Sequence, residues 1–321
     1  MSTTITPPVA ARSRDPGKFR DRLRTATGEP RAQVALKSLD TLWFNTGTLC
    51  NLTCGHCYIE SSPRNDRLVY LSVADVTQYL DEIAALRLGT GLIGFTGGEP
   101  FLNPHLAEIL DLTLRRGFRV LVLTNAMTPM HKRKLALQRL RERFGDRLHL
   151  RVSLDHYGPE VHEAERGRRS WRPTIEGLVW LANNGFAMSV ATRRLSGESE
   201  AEIRHGFAGL FGELGIALDS DDPLALTVFP EMDEAADVPE ITESCWAILG
   251  RSPEDMMCAS SRMIVKFKGA ARPTVIACTL LPYDKGFDLG PDLAGALGGV
   301  PLNHPHCAKF CVLGGGACSR G

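Results

Sequence analysis

The segment Cys50-Asn51-Leu52-Thr53-Cys54-Gly55-His56-Cys57-Tyr58 carries three thiols at C-x3-C-x2-C spacing. Three thiolates this close can hold three corners of a cubic iron–sulfur cluster, and with no fourth protein ligand nearby one iron is left open. Zinc is the competing chemistry, since a structural zinc ion wants four closed ligands and His56 is a candidate fourth. His56 lies between Cys54 and Cys57, however, and closing all four groups on one tetrahedral ion would strain so short a loop. Disulfides are disfavoured by nine cysteines, an odd count, and by the lack of a secretory apolar stretch.

A second segment, Gly94-Phe95-Thr96-Gly97-Gly98-Glu99-Pro100, follows about one βα unit later. Its glycines let the backbone approach a ligand closely, free carbonyls or Glu99 can accept hydrogen bonds from an ammonium, and Pro100 stiffens the turn. The two segments together resemble the cluster loop and GGEP motif of radical S-adenosylmethionine (SAM) enzymes. The resemblance implies a 4Fe–4S cluster on Cys50, Cys54 and Cys57, with SAM chelating the open iron. It places Gly97, Gly98, Glu99, Pro100, Asn125 and Ser153 around SAM, Ser153 near the ribose. A guanidinium pairing with the SAM carboxylate would come from Arg166, Arg168 or Arg193, with Arg193 carried as the site residue. His56 falls where the family places a large residue near the adenine. Tyr58 is equally a packing residue, and Ser153 and Asp155 equally suit a turn and helix cap.

The chemistry implied belongs to the cofactor. A reduced cluster gives one electron to the sulfonium, and the 5′-deoxyadenosyl radical released abstracts hydrogen from a substrate. No protein acid or base is singled out. The reductant implied is a flavodoxin or ferredoxin.

The other six cysteines, Cys245, Cys258, Cys278, Cys307, Cys311 and Cys318, all follow residue 230. A hairpin pattern, Arg262–Gly269 and Thr274–Ala277, leads into Cys278. Cysteine, glycine-containing hairpin, cysteine and a late close group resemble the SPASM and twitch extensions of radical SAM enzymes, which carry auxiliary clusters. Cys307 and Cys311 are separated by three residues where C-x2-C is usual, and the full seven-cysteine pattern is not reached. One auxiliary 4Fe–4S cluster is implied, on Cys258, Cys278, Cys307 and Cys311, with Cys318 as a substitute. Four of these thiols on zinc is the alternative. Cys245 reads as a buried apolar-like thiol.

These residues need a scaffold, and a βα rhythm supplies one. Strands are expected at Leu42–Asn45, Leu92–Phe95, Phe118–Leu123, Leu148–Leu154, Phe186–Thr192 and Leu224–Phe229. Helical spacing runs from Ser72 to Leu88, Pro104 to Arg116, Met130 to Phe144, Trp171 to Asn184 and Glu200 to Leu214. Six units in series argue for a parallel α/β sheet with right-handed crossovers, and ligands bind beyond the carboxyl ends of such strands. The family's partial (β/α)6 barrel agrees with that count. Expected divisions are a flexible segment 1–35, a barrel core 36–230 and a small cysteine-rich α+β extension 231–321.

With 321 residues the chain has ample material for a core. Lys+Arg and Asp+Glu balance at 37 each, which gives no net field toward nucleic acid or anionic lipid. No apolar run approaches bilayer length, and thiols in metal-ligand spacing point to a reducing cytoplasm. The expected function is an oxidoreductase-like radical SAM enzyme acting on a peptide or protein side chain. The same chemistry on a small metabolite or cofactor precursor is the alternative within the class. A non-catalytic metal-binding scaffold is the alternative outside it.

Overall fold

The computed structural model describes residues 15–195, 197–230 and 236–316. After a short strand, β1 (Gln33–Val34), six apolar segments form β2 (Thr41–Asn45), β3 (Leu92–Thr96), β4 (Arg119–Thr124), β5 (Leu148–Ser153), β6 (Ala187–Arg193) and β7 (Leu226–Phe229). They pair in sequence order, each parallel to the next. The crossovers are α1 (Val73–Leu86), α2 (Leu106–Arg115), α3 (Thr128–His131) with α4 (Lys134–Phe144), α5 (Pro159–Arg166) with α6 (Trp171–Asn183), and α7 (Glu200–Leu214). The sheet stays open, as a partial (β/α)6 barrel requires.

Helix α1 begins with a reciprocal cap. The Asp75 amide donates to Ser72 Oγ at 3.1 Å, and the Ser72 amide donates to the Asp75 carboxylate at 2.9 Å. The helix expected over 130–144 divides into α3, started by Pro129, and α4. Helix α5 was not anticipated. It begins at Pro159 and ends before Gly167, whose φ of +97° a glycine adopts freely.

Alternation along the strands makes two cores. Leu42, Phe44, Ile93 and Phe95 face the helices, whereas Trp43, Leu92 and Leu121 face the chain's last third. Gly94 makes room for this second core, since a Cβ there would stand 2.3 Å from the Trp43 ring.

The last third does not stand apart. Beyond α8 (Cys245–Leu249), β8 (Ser261–Val265) pairs parallel with β2, and β9 (Thr274–Ile276) returns antiparallel to β8. One sheet of eight strands results, in the order β7-β6-β5-β4-β3-β2-β8-β9. The expected boundary near 230 therefore divides a continuous sheet. Residues 15–35, expected as a flexible segment, are also tied down. β1 pairs antiparallel with β10 (Val300–Pro301), Phe19 is buried, and Arg31 is wholly buried against Glu240 at 2.5 Å. The apolar Phe19, Ala32 and Val34 give this segment a core contact that its polar composition masked.

Candidate active site

The carboxyl ends of β2 to β7 surround an open cavity. Cys50, Cys54 and Cys57 line it on the loop after β2, Gly97 and Gly98 after β3, and Asn125 after β4. Ser153, Asp155 and Arg166 line it from β5 and α5, Arg193 from β6, and Phe229 from β7. Leu280 and Phe310, from the last third, close part of the wall.

The cysteine loop is held from three sides. On one side the glycine turn approaches it: the Gly98 amide donates to the Gly47 carbonyl at 2.9 Å and the Glu99 amide to the Leu49 carbonyl at 3.1 Å. A Cβ on Gly98 would come within 2.3 Å of that Leu49 oxygen, so the glycine is required by the loop as well as by any ligand. On the second side, α5 presents Glu165. Its carboxylate accepts from the His56 amide at 2.9 Å and meets His56 Nδ1 at 2.6 Å, while its main-chain carbonyl accepts from Gly55 at 2.9 Å. On the third, the Tyr283 hydroxyl donates to the Ile59 carbonyl at 2.9 Å.

Beneath the loop lies a buried charge network. Arg193 donates to Asp155 through Nε (3.1 Å) and Nη2 (2.8 Å), to Glu165 through Nη2 (2.7 Å) and to the His56 carbonyl through Nη1 (2.8 Å). Arg166 Nε donates to Asp155 at 2.7 Å. Burial alone would raise the Asp155 carboxyl, yet the Arg166 and Arg193 guanidinia hold it well below the usual carboxylate range.

Glu99 departs from its expected place. It is 2% exposed and lies under the cavity floor, accepting from Phe101 N (3.2 Å), Thr124 Oγ1 (2.9 Å) and Asn125 N (2.9 Å). It fastens the β3 turn to the end of β4. Burial pushes its carboxyl up to about 7 against those three donors. Pro100 is buried at the start of a 3₁₀ turn beside it. Arg168 is exposed and outside the cavity lining.

The thiols themselves are consistent with a shared metal group. Burial pushes Cys50 up to about 12, and Glu99, Cys54 and Cys57 add to the rise. Three thiolates here need a cationic centre. Among the described residues no three His, Cys, Asp or Glu groups converge enough to hold a single ion. A cubane asks for less convergence, because each thiolate binds its own iron. His56 Nδ1 is engaged by Glu165, which removes one imidazole nitrogen from the zinc alternative.

The later cysteines form a second group. Burial drives the Cys307 thiol well up, and Cys278 and Cys258 add to it. Burial also raises Cys258 to about 11. Cys311 packs against the same core. Cys245 Sγ accepts from the Thr242 amide at 3.4 Å. Cys318 lies outside the described residues.

Family comparison now decides the class: the profile of the radical SAM superfamily matches residues 44–205, the span that holds the cysteine loop, the glycine turn and the charge network. The chain belongs to the radical SAM superfamily. Radical SAM proteins use a 4Fe–4S cluster and SAM, so both are cofactors here. Over 145 residues the chain is 34% identical to the antilisterial bacteriocin subtilosin biosynthesis protein AlbA of Bacillus subtilis, covering 44% of this chain and 30% of AlbA. Over 174 residues it is 30% identical to the mycofactocin maturase MftC of Mycolicibacterium smegmatis, covering 53% of this chain and 41% of MftC. Thus the chain spans well under half the length of these two radical SAM relatives. The fold is similar to that of SuiB from Streptococcus suis bound to S-adenosylmethionine, with TM-score 0.58 and 13% identity over 79% of this chain and 63% of SuiB. SuiB has also been solved with its precursor peptide SuiA.

The radical SAM site residues named from sequence fall in two sets. Gly97, Gly98, Asn125, Ser153 and Arg193 line the cavity with the three cysteines, while Glu99 and Pro100 support it from below. Glu165 was missed, because its signal is only a short polar helix between Pro159 and Gly167. Arg151, a buried lining residue, was missed because an arginine inside a strand reads as surface.

Proposed function

We propose that this chain reductively cleaves SAM at the cluster on Cys50, Cys54 and Cys57 and modifies a peptide, aided by an auxiliary cluster on Cys258, Cys278, Cys307 and Cys311. The observation that carries the reading is that the three thiols and the Gly97-Gly98 turn line one cavity at the carboxyl end of the sheet. A 4Fe–4S cluster held by Cys50, Cys54 and Cys57 would supply the one electron that reductive cleavage of SAM requires, and with it the means to take hydrogen from the substrate.

The residues divide the remaining work. Main-chain groups of Gly97 and Gly98, with Asn125 and Ser153, offer polar contacts to SAM. Arg193 spends four of its five N–H donors on Asp155, Glu165 and the His56 carbonyl, so it serves to position the cysteine loop. Arg166 bonds Asp155 only through Nε, and its two Nη groups have no acceptor among the described residues. It is the better partner for the SAM carboxylate. Leu123, Ala191 and Phe229 give the cavity an apolar wall that keeps water from the reacting carbon.

The peptide assignment rests on the names of AlbA and MftC and on the SuiB–SuiA complex. No helix among the described residues is long and apolar enough to cross a membrane. A cytoplasmic setting and a flavodoxin or ferredoxin reductant belong to the same proposal.

After anaerobic reconstitution, about 8 Fe per chain is expected, for two 4Fe–4S groups. With SAM and dithionite the loaded protein should release 5′-deoxyadenosine and methionine, and a folded Cys54→Ala variant should release neither. Deuterium passed to 5′-deoxyadenosine from a peptide fraction of cells grown in heavy water supports the peptide. Transfer only from the small-metabolite fraction replaces it with a metabolite substrate. Zinc without iron would sink the whole reading.

A further inference from the structure

Arg262, the second residue of β8, is 1% exposed. A guanidinium removed from water costs several kcal/mol unless an opposite charge and hydrogen bonds compensate it. The other arginine buried in this part of the molecule, Arg31, meets that demand with Glu240. Arg262 has carbonyls instead. Nε donates to Ala296 at 2.9 Å, Nη1 to Cys258 at 2.6 Å and to Ser261 at 2.8 Å, and Nη2 to Gly298 at 2.9 Å. Carbonyls satisfy the donors but bring no net charge. No carboxylate among the described residues hydrogen-bonds or ion-pairs with this cation, and burial lowers its pKa; Cys258 and Cys278 stand close enough that, as metal-bound thiolates, they would offset its charge.

The placement is specific. Arg262 grips the main chain of Cys258 itself, at the foot of the strand that leads through the hairpin toward Cys278. We propose that Arg262 is the buried counter-cation of the C-terminal cysteine group, balancing the negative charge of the iron–sulfur cluster held there and setting its reduction potential. This rests on reading those cysteines as a cluster site. One-electron reduction adds a negative charge to such a group, and a fixed cation beside it, shielded from solvent, favours the reduced form.

The test uses the full chain with Cys50, Cys54 and Cys57 changed to alanine, so that the later group alone carries iron. Each protein is reconstituted anaerobically and titrated with dithionite and mediators while the reduced cluster is followed by electron paramagnetic resonance. In Arg262→Met the ratio of reduced to oxidised cluster, at the parent's midpoint, should fall at least tenfold, a shift of about 59 mV for one electron. Arg262→Lys, which keeps the charge and loses most of the carbonyl contacts, should titrate close to the parent. An Arg262→Met variant that loads fully and titrates like the parent overturns the proposal. So does a lysine variant displaced as far as the methionine one, or a failure of both to fold, since either means that the carbonyl contacts alone matter. If only Arg262→Met fails to fold, the lysine variant's potential carries the decision. A parent that takes zinc and no iron removes the cluster reading, and the proposal with it.

Discussion

Single residues decide how closely the two motif loops meet. Gly98→Ala would drive a methyl toward the Leu49 carbonyl at 2.3 Å, so strand end or loop must move. A loss of ~1–3 kcal/mol is expected, with lower iron retention at the first site, read by urea unfolding and iron analysis. Glu99 makes a pH prediction. Its folded carboxyl sits at about 7, above the ordinary 4.5, so the folded chain holds a proton that the unfolded chain has released. Stability contributed by that proton is present below about pH 4.5 and is lost as pH rises through about 7, on the order of 3 kcal/mol across the window. Glu99→Gln should be less stable than wild type in acid, because its amide faces three donors, and the gap should narrow toward pH 8. A constant gap by urea unfolding of the cluster-free protein would refute this. His162 adds the opposite slope. It is wholly buried, neither ring nitrogen has a partner among the described residues, and burial lowers it to about 4. The neutral ring is tolerated above about pH 6.5, and stability is lost as pH falls toward 4. His162→Phe should remove that acid sensitivity while keeping the ring contact with Trp171.

Among the elements, α5 has the most to do with the site for its length. Through Glu165 it bonds the amide and imidazole of His56, and through Arg166 it joins Asp155. Glu165→Ala removes one member of a buried charge group, at ~3–5 kcal/mol. By hydrogen exchange the His56 amide should lose protection, whereas the Gly55 amide, held by the Glu165 main-chain carbonyl, should change less. Equal change at both amides would mean that the helix unfolded and the clamp was not isolated. The six strands were legible because short, mostly apolar runs recur between helical stretches, a rhythm that leaves few other readings. Helix α5 was not, since it is only eight residues long, the residues it buries, His162 and Glu165, are polar, and its meaning lies in contacts with a loop a hundred positions away. The thiol pattern announced the site, while Arg166 and Glu165 gained their roles only once folding brought α5 against the loop.

For the whole molecule, the shared sheet is the main departure from the sequence reading. A break in the βα rhythm near residue 230 reads as a domain boundary, yet β8 completes the edge beside β2, and Trp43, Leu92 and Leu121 find their core among later residues. A fragment of residues 36–230 should therefore aggregate or remain molten, with loss of near-ultraviolet circular dichroism and of the cooperative melt shown by the full chain. A cooperative melt from the fragment would restore the boundary.

The pairing of β2 with β8 also fixes an order in time. Thr41 waits for Ser261, made 220 residues later, which at 5–20 residues per second is roughly 10–45 s of synthesis. Throughout that interval the thiols at 50, 54 and 57 hang from a strand with one side unfinished, open to oxygen and to stray metals. The thiols therefore gain a finished sheet beside them only once β8 has been made, and a cluster loaded before that point would rest on an incomplete scaffold.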